Sequence, residues 1–134
     1  MGNMKKSILP IILAGIWITV SEFVRNEFLL KGYWLDHFQA MGLEFKTLPI
    51  NGILWMIWSF ALAYLIFMLH KKFSFMQTIL LAWLPAFVMM WLTVYNLQVL
   101  PLALLIFAVP LSLVEVAIAA LIIARFRPRE KPSD

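Results

Sequence analysis

Long runs of hydrophobic residues, separated by short polar segments, make up most of the chain. Four of these runs are long enough to cross a hydrocarbon core of about 30 Å, which takes about 20 helical residues. The pattern predicts an all-α fold, a polytopic membrane protein with four transmembrane helices. The predicted helices cover about residues 8–29, 51–69, 75–95 and 97–124 of a single domain, 1–126, followed by a polar tail, 127–134.

Local sequence signals agree with these limits. Proline is favoured in the first turn of a helix, so Pro49 marks the beginning of the second predicted helix. Ser74 and Gln77 form an S-x-x-Q capping box at the beginning of the third. Asn96 marks the end of the third helix, and Pro101 falls in the first turns of the fourth. The connection between these two helices is so short that they must form an antiparallel hairpin.

The first connection, residues 31–50, carries hydrophobic residues at helical spacing. Trp34, Leu35, Phe38 and Met41 follow one another at i, i+1, i+4 and i+7, and Gly42 is placed to end a helix. This spacing predicts a short interfacial helix with one apolar face. Two interpretations stay open, an anchor at the membrane surface or a lid over a pocket between the helices.

Composition excludes several classes of protein. The hydrophobic fraction is 63% and the charged fraction 13%, a balance that a soluble domain of this size could not bury. The chain has no cysteine, which excludes disulfides and thiolate catalysis. No nucleotide-binding or hydrolase motif is present, and the neighbours Asp36 and His37 match no metal-ligand spacing. We therefore expect no cofactor and no bound metal.

The basic residues cluster at the ends of the hydrophobic runs instead of covering one face. This distribution explains the net charge of +4 without a nucleic-acid partner. Eight lysines and arginines fall on one side of the predicted membrane and three on the other. The positive-inside rule then places both termini in the cytoplasm. The larger set is Lys5, Lys6, Lys71, Lys72, Arg125, Arg127, Arg129 and Lys131, and the smaller set is Arg25, Lys31 and Lys46.

Glu115 lies near the middle of the fourth hydrophobic run. A charged side chain at that depth costs about 2.5–3.5 kcal/mol on insertion scales, so it usually faces protein or has a function. No lysine or arginine lies at the same depth in the predicted helices, so we expect an unpaired, largely neutral carboxyl group. Its helix face carries small residues, which let another helix approach closely. Two interpretations follow, a hydrogen-bonded structural acid or a proton-exchanging acid. The small residues are Ala108, Ser112 and Ala119.

A polar stripe follows one face of the first predicted helix. It consists of Gly15, Thr19, Glu22 and Asn26, at i, i+4, i+7 and i+11. Arg25 lies three residues after Glu22 and can pair with it along the helix. The stripe is either an ion pair that positions the end of the helix or the polar floor of an outward-facing cavity. In the second interpretation, Glu22, Arg25 and Asn26 bind a ligand.

Four aromatic residues fall at a depth similar to that of Glu22. They are Trp55, Trp58, Trp91 and Tyr95. Aromatic faces can cradle a cation, and a nearby carboxylate can complete such a site. An ordinary interfacial belt also uses tryptophan and tyrosine. Pro85 and Pro110 lie near the centres of the third and fourth helices and predict kinks around an internal space.

The segments Gly15-Ile16-Trp17, Tyr33-Trp34 and Met41-Gly42-Leu43 resemble those of small four-helix bacterial membrane proteins of unknown function. The resemblance covers the first third of the chain, implies a bacterial inner membrane and supplies no reaction. Glu22 is also similar to the first-helix glutamate of the small multidrug resistance transporters. The long first loop, the charge bias and Glu115 depart from that family, so no functional residue is carried over.

These observations favour a four-helix bundle, expected to be a homo-oligomer in the lipid bilayer, that binds or transports a small lipophilic or cationic molecule. Glu22 would be the polar contact in an aromatic cavity, and Glu115 would exchange a proton. One alternative is a membrane-embedded enzyme that acts on a lipid, with either glutamate as general acid and base. Another is an accessory subunit whose polar stripe packs against a partner helix. The sequence favours binding or transport over catalysis.

Overall fold

The computed structural model describes residues 2–127, and its side chains are described from residue 4. The tail after Arg127, with Arg129 and Lys131, lies outside the described residues. The elements in chain order are α1 (Gly2–Val24), a π-helical turn (Arg25–Leu29), α2 (Lys31–Ala40), α3 (Pro49–His70), α4 (Phe75–Trp83), a second π-helical turn (Leu84–Val88), α5 (Met89–Asn96), a 3-10 turn (Leu102–Leu104) and α6 (Leu105–Phe126).

Four stretches of these helices are long and apolar enough to span a membrane, which confirms the predicted fold class. They are Met4–Leu29, Pro49–His70, Phe75–Asn96 and Leu102–Phe126. We call them the first to fourth spans. The chain is a multi-pass membrane protein, and α2 is the short helix between the first and second spans. The end of the bundle that carries α2 is called the α2 end, and the other is the opposite end.

Two boundaries differ from the sequence-based prediction. The helix of the first span begins before residue 8, at Gly2. The fourth span begins at Leu102 and not at about residue 97. A residue that precedes proline is disfavoured in the α conformation, so Leu100 cannot easily start a helix before Pro101. Pro101 itself is extended, with φ −72° and ψ 104°, and Gln98 has a φ of 61°.

The predicted helix signals take the expected form. Pro49 occupies the first turn of α3. The Ser74 hydroxyl accepts from the Gln77 amide and the Gln77 side chain accepts from the Ser74 amide, which completes the capping box at α4. Gly42 ends α2 with a φ of +70°, and the Leu43 amide donates to the Phe38 carbonyl, as in a Schellman motif.

The first span packs against two others, because α1 contacts both α3 and α6. Gly15 allows close contact with α3: a Cβ atom at this position would lie 2.6 Å from the ring of Phe60. The predicted small face of α6 is interior, since Ala108, Ser112 and Ala119 are all buried. Glycine and small residues thus set how closely the helices approach.

The third span is interrupted near its middle. Pro85 lies in the π-helical turn Leu84–Val88 between α4 and α5, whereas Pro110 lies inside an α6 helix that continues without a break. Among the described residues, α3 packs closely on α4 but not on α5. The third span therefore departs from α3 at the α2 end, and space opens between them.

Candidate functional site

Three ionisable side chains meet inside the bundle. Glu22 and Arg25 come from the first span and Glu115 comes from α6; all three are buried, with 3%, 7% and 1% exposure. Arg25 Nη2 donates to Glu22 Oε1 as an i, i+3 ion pair. Arg25 Nη1 lies 3.4 Å from Glu115 Oε2. We call these residues the ionic cluster.

The expectation that Glu115 is unpaired is wrong. The backbone of Arg25 lies nearer the membrane surface than that of Glu115, but the depth of the backbone does not give the depth of the charged group at the end of a long side chain. Side chains in a helix lean toward the N-terminus of that helix. The first span and α6 are antiparallel, so the long Arg25 side chain leans toward the membrane centre and Glu115 leans toward the α2 end. The two side chains therefore converge.

Neighbouring side chains hold the ionic cluster in place. Asn26 Nδ2 donates to Glu22 Oε2 at 2.9 Å and to the Glu22 carbonyl at 3.1 Å. The guanidinium carbon of Arg25 lies 5.1 Å from the centre of the Phe87 ring. Phe87 follows Pro85 in the π-helical turn of the third span, so this turn places an aromatic face on the cation. Arg25 also begins a π-helical turn, a feature frequent at functional sites.

Two tryptophans fix α6 against its neighbours near the cluster. Trp17 Nε1 donates to the Glu115 carbonyl at 3.0 Å. Trp83 Nε1 donates to the Ser112 hydroxyl at 2.8 Å, and this hydroxyl donates to the Val109 carbonyl at 2.9 Å. These contacts join α6 to the first span and to α4, and so set the register that brings Glu115 to Arg25.

The ionic cluster holds two carboxyl groups and one guanidinium. Arg25 attracts both acids, and Glu22 and Glu115 repel each other. Glu115 Oε1 is buried and makes no hydrogen bond to the described residues. Buried polar atoms are nearly always hydrogen-bonded. An oxygen in this state can accept a hydrogen bond from a proton donor or from water.

A cavity of about 710 Å³ opens above the ionic cluster toward the α2 end. Glu22, Arg25 and Asn26 line its floor, while Glu115 lies behind them and does not line it. One chain is enough to form this main cavity. Its complete lining is Thr19, Glu22, Phe23, Arg25, Asn26, Glu27, Leu30, Trp34, Phe45, Lys46, Thr47, Leu48, Pro49, Asn51, Gly52, Trp55, Met90, Trp91, Val94, Leu100, Leu104 and Ala108.

The α2 helix contributes to the wall of the main cavity and is more than an anchor. Trp34 lines the cavity and stacks on Phe45, with ring centres 6.2 Å apart and an angle of 14° between the planes. His37 Nε2 contacts the Gln98 carbonyl at 3.0 Å, which joins α2 to the turn before the fourth span. These contacts favour the lid interpretation.

The predicted aromatic residues divide into two groups. Trp55 and Trp91 line the main cavity. Trp58 lies deeper and packs its ring against Phe87, with centres 5.6 Å apart, so it supports the aromatic face under Arg25. Tyr95 is 54% exposed and lies outside the main cavity. Sequence position alone did not separate them, because depth does not reveal which way a side chain points.

Three residues that sequence reasoning did not assign to the site belong to it. Phe87 covers the guanidinium, and Trp34 and Phe45 close the wall. Phe87 lies two positions after Pro85, Trp34 lies on the predicted interfacial helix, and Phe45 is the first aromatic residue after Gly42. Within the described residues, no group of histidine, aspartate and glutamate could hold a metal ion.

Comparison of the chain with protein-family models, with curated proteins and with solved structures finds no match.

Proposed function

We propose that this membrane protein binds small lipophilic cations in the main cavity, as the recognition step of transport that is coupled to a proton. The observation that carries the proposal is the ionic cluster below the cavity, in which Glu22 and Arg25 line the floor and Glu115 contacts the same guanidinium from behind. Trp55, Trp91 and Trp34 give the walls aromatic faces, which attract cations. A mostly apolar pocket of about 710 Å³ with a few convergent polar groups is typical of small-molecule sites.

The orientation follows from the distribution of basic residues. The opposite end carries Lys5, Lys6, Lys71, Lys72, Arg125 and Arg127 among the described residues. This bias supports a cytoplasmic location of both termini and a main cavity that opens outward. Together with the bacterial resemblance of the first third of the chain, it supports a location in a bacterial inner membrane.

Proton coupling would arise from the composition of the ionic cluster. With both acids ionised, the cluster carries one negative charge in excess, and a buried net charge is costly. Either a proton or a ligand cation can neutralise it, so the two compete. At low pH one carboxyl group of the cluster is protonated, which weakens cation binding. High pH favours the cation. The charged groups that act on Glu115 are Glu22 and Arg25.

The binding step is tested with tetraphenylphosphonium and the purified protein in detergent, by quenching of tryptophan fluorescence. Replacing Glu22 with glutamine leaves one acid for Arg25, so the cluster is neutral and the fold is retained. We expect at least a tenfold loss of affinity, which corresponds to about 1.4 kcal/mol. Glu44 is exposed and lies outside the cavity, so Glu44→Gln is the matched control. Equal affinity in wild type and Glu22→Gln would overturn the proposal.

The coupling step is tested by repeating the titration between pH 5 and pH 9. The affinity of the wild type should rise with pH. Glu115→Gln removes the excess carboxyl group, so its affinity should be lower and nearly independent of pH. A Glu115→Gln variant with the pH dependence of the wild type would assign the coupling to another residue and contradict the role of Glu115.

A further inference from the structure

A second, smaller space lies beside the main cavity, between α3 and α5. It has a volume of about 320 Å³ and is lined by Leu54, Trp55, Trp58 and Asn51 of α3 and by Met90 of α5. We call it the side cleft. Residues from α1 and α6 do not line it, so it lies on the outer side of the bundle, where α3 and α5 separate.

The side cleft adjoins the main cavity. Asn51, Trp55 and Met90 line both spaces. Leu54, which lines the cleft alone, is 58% exposed on the outer surface of its span. The side cleft therefore lies between the lipid-facing side of the bundle and the main cavity, and Asn51, Trp55 and Met90 form the wall that the two spaces share.

The two spaces differ in chemistry. The floor of the main cavity carries Glu22 and Arg25, with Glu115 behind them as the excess carboxyl group of the ionic cluster, whereas the side cleft is lined mainly by Leu54, Met90 and the two tryptophans. An amphiphile fits a charged cavity floor beside an apolar cleft. Its charged head needs polar partners, and its alkyl chain is stabilised by apolar surroundings. A cationic head complements the excess carboxyl group.

We infer that the ligand is a single-chain amphiphile with a cationic head group, which enters from the bilayer through the side cleft and keeps its alkyl chain there while its head reaches Glu22. This inference rests on the proposed function and specifies its substrate class and its route of entry. It makes Leu54 and Met90 specificity-determining residues for the alkyl chain.

The test compares two cations, tetraphenylphosphonium, which has no alkyl chain, and dodecyltrimethylammonium. Both are measured in lipid nanodiscs by tryptophan quenching. Leu54→Trp fills the side cleft without altering the main cavity. We expect it to lower the affinity for dodecyltrimethylammonium at least tenfold and to change that for tetraphenylphosphonium less than twofold. Leu92 is 64% exposed on α5 and lines neither space, so Leu92→Trp is the control and should change neither affinity.

Unchanged binding of dodecyltrimethylammonium to Leu54→Trp would overturn this inference while leaving the proposed function intact. Failure of the proposed function would give a different result, because Glu22→Gln would then bind tetraphenylphosphonium as tightly as the wild type. A second measurement does not depend on the folding of Leu54→Trp. The chain has no cysteine, so Met90→Cys takes one spin label. Dodecyltrimethylammonium should reduce the collision rate of this label with oxygen, and an unchanged rate would contradict occupation of the cleft.

Discussion

Replacing Arg25 with methionine would remove the guanidinium that both Glu22 and Glu115 contact. Methionine keeps much of the length of the side chain and its packing on Phe87, so the main change is electrostatic. Two carboxyl groups would then lie close together in a site from which water is largely excluded, since their exposures are 3% and 1%. We expect the variant to be strongly destabilised.

The magnitude follows from the burial of the pair. Removing one partner of a buried ion pair costs about 3–5 kcal/mol, because a charge is left without compensation. This is at least a hundredfold change in the folding equilibrium, at about 1.4 kcal/mol per factor of ten. The chain contains a matched surface pair, Glu27 and Lys31, whose side chains are 32% and 37% exposed. An exposed pair contributes about 0–1 kcal/mol, so Lys31→Met is the control.

The free energy of unfolding can be measured by titration with sodium dodecyl sulfate in mixed micelles, followed by helical circular dichroism. Arg25→Met should unfold at a much lower fraction of the denaturant than Lys31→Met. Adding Glu22→Gln and Glu115→Gln to Arg25→Met should restore most of the loss, because the uncompensated acids are gone. Equal stabilities of Arg25→Met and Lys31→Met, or no recovery in the triple variant, would refute the role given to the ionic cluster.

Two further substitutions test how the helices are held around the site. Gly15→Ala places a Cβ atom 2.6 Å from the Phe60 ring, so α1 and α3 must shift. We expect the free energy of unfolding to fall by about 1–3 kcal/mol in the same titration. A variant as stable as the wild type would show that the contact is not tight. Trp83→Phe removes the donor to the Ser112 hydroxyl, and the free energy of unfolding should fall by about 0.5–1.5 kcal/mol. An unchanged midpoint of the titration would mean that this hydrogen bond does not fix α6.

The spans were predictable because the bilayer imposes a length and a composition on each helix. Pro49 in the first turn of α3 and the capping box of Ser74 and Gln77 at α4 mark where these two helices begin. The beginning of the fourth span was misplaced because Leu97, Val99 and Leu100 are apolar and the single polar residue among them, Gln98, does not end a helix on hydropathy alone. Only the conformational restriction before Pro101 excludes it.

The interior face of α6 was also predictable, since Ala108, Ser112 and Ala119 share the face of Glu115 and all are buried. The pairing of Arg25 with Glu115 was not. It joins residues 90 positions apart, and it depends on the antiparallel register of two helices and on the direction in which their side chains lean. The spacing of residues in the sequence identifies partners along one helix, such as Glu22 and Arg25. It does not determine which residues of two different helices lie opposite each other.

The side cleft could not be predicted from the sequence for a similar reason. Pro85 indicated an irregularity in the third span, and the π-helical turn Leu84–Val88 contains it. Whether the chain beyond a proline moves toward a neighbouring helix or away from it depends on the packing of that neighbour. Here α5 departs from α3, and Met90 comes to line both spaces.

Arg25 joins Glu115 of one helix to Glu22 of another, and a double-mutant cycle between Arg25 and Glu115 tests this contact most directly. The free energies of unfolding of wild type, Arg25→Gln, Glu115→Gln and the double variant give the coupling between the two side chains. Direct contact in a buried site should give a coupling of about 1–3 kcal/mol, with the double variant more stable than Arg25→Gln alone. Additive losses, within about 0.5 kcal/mol, would mean that the two residues do not meet.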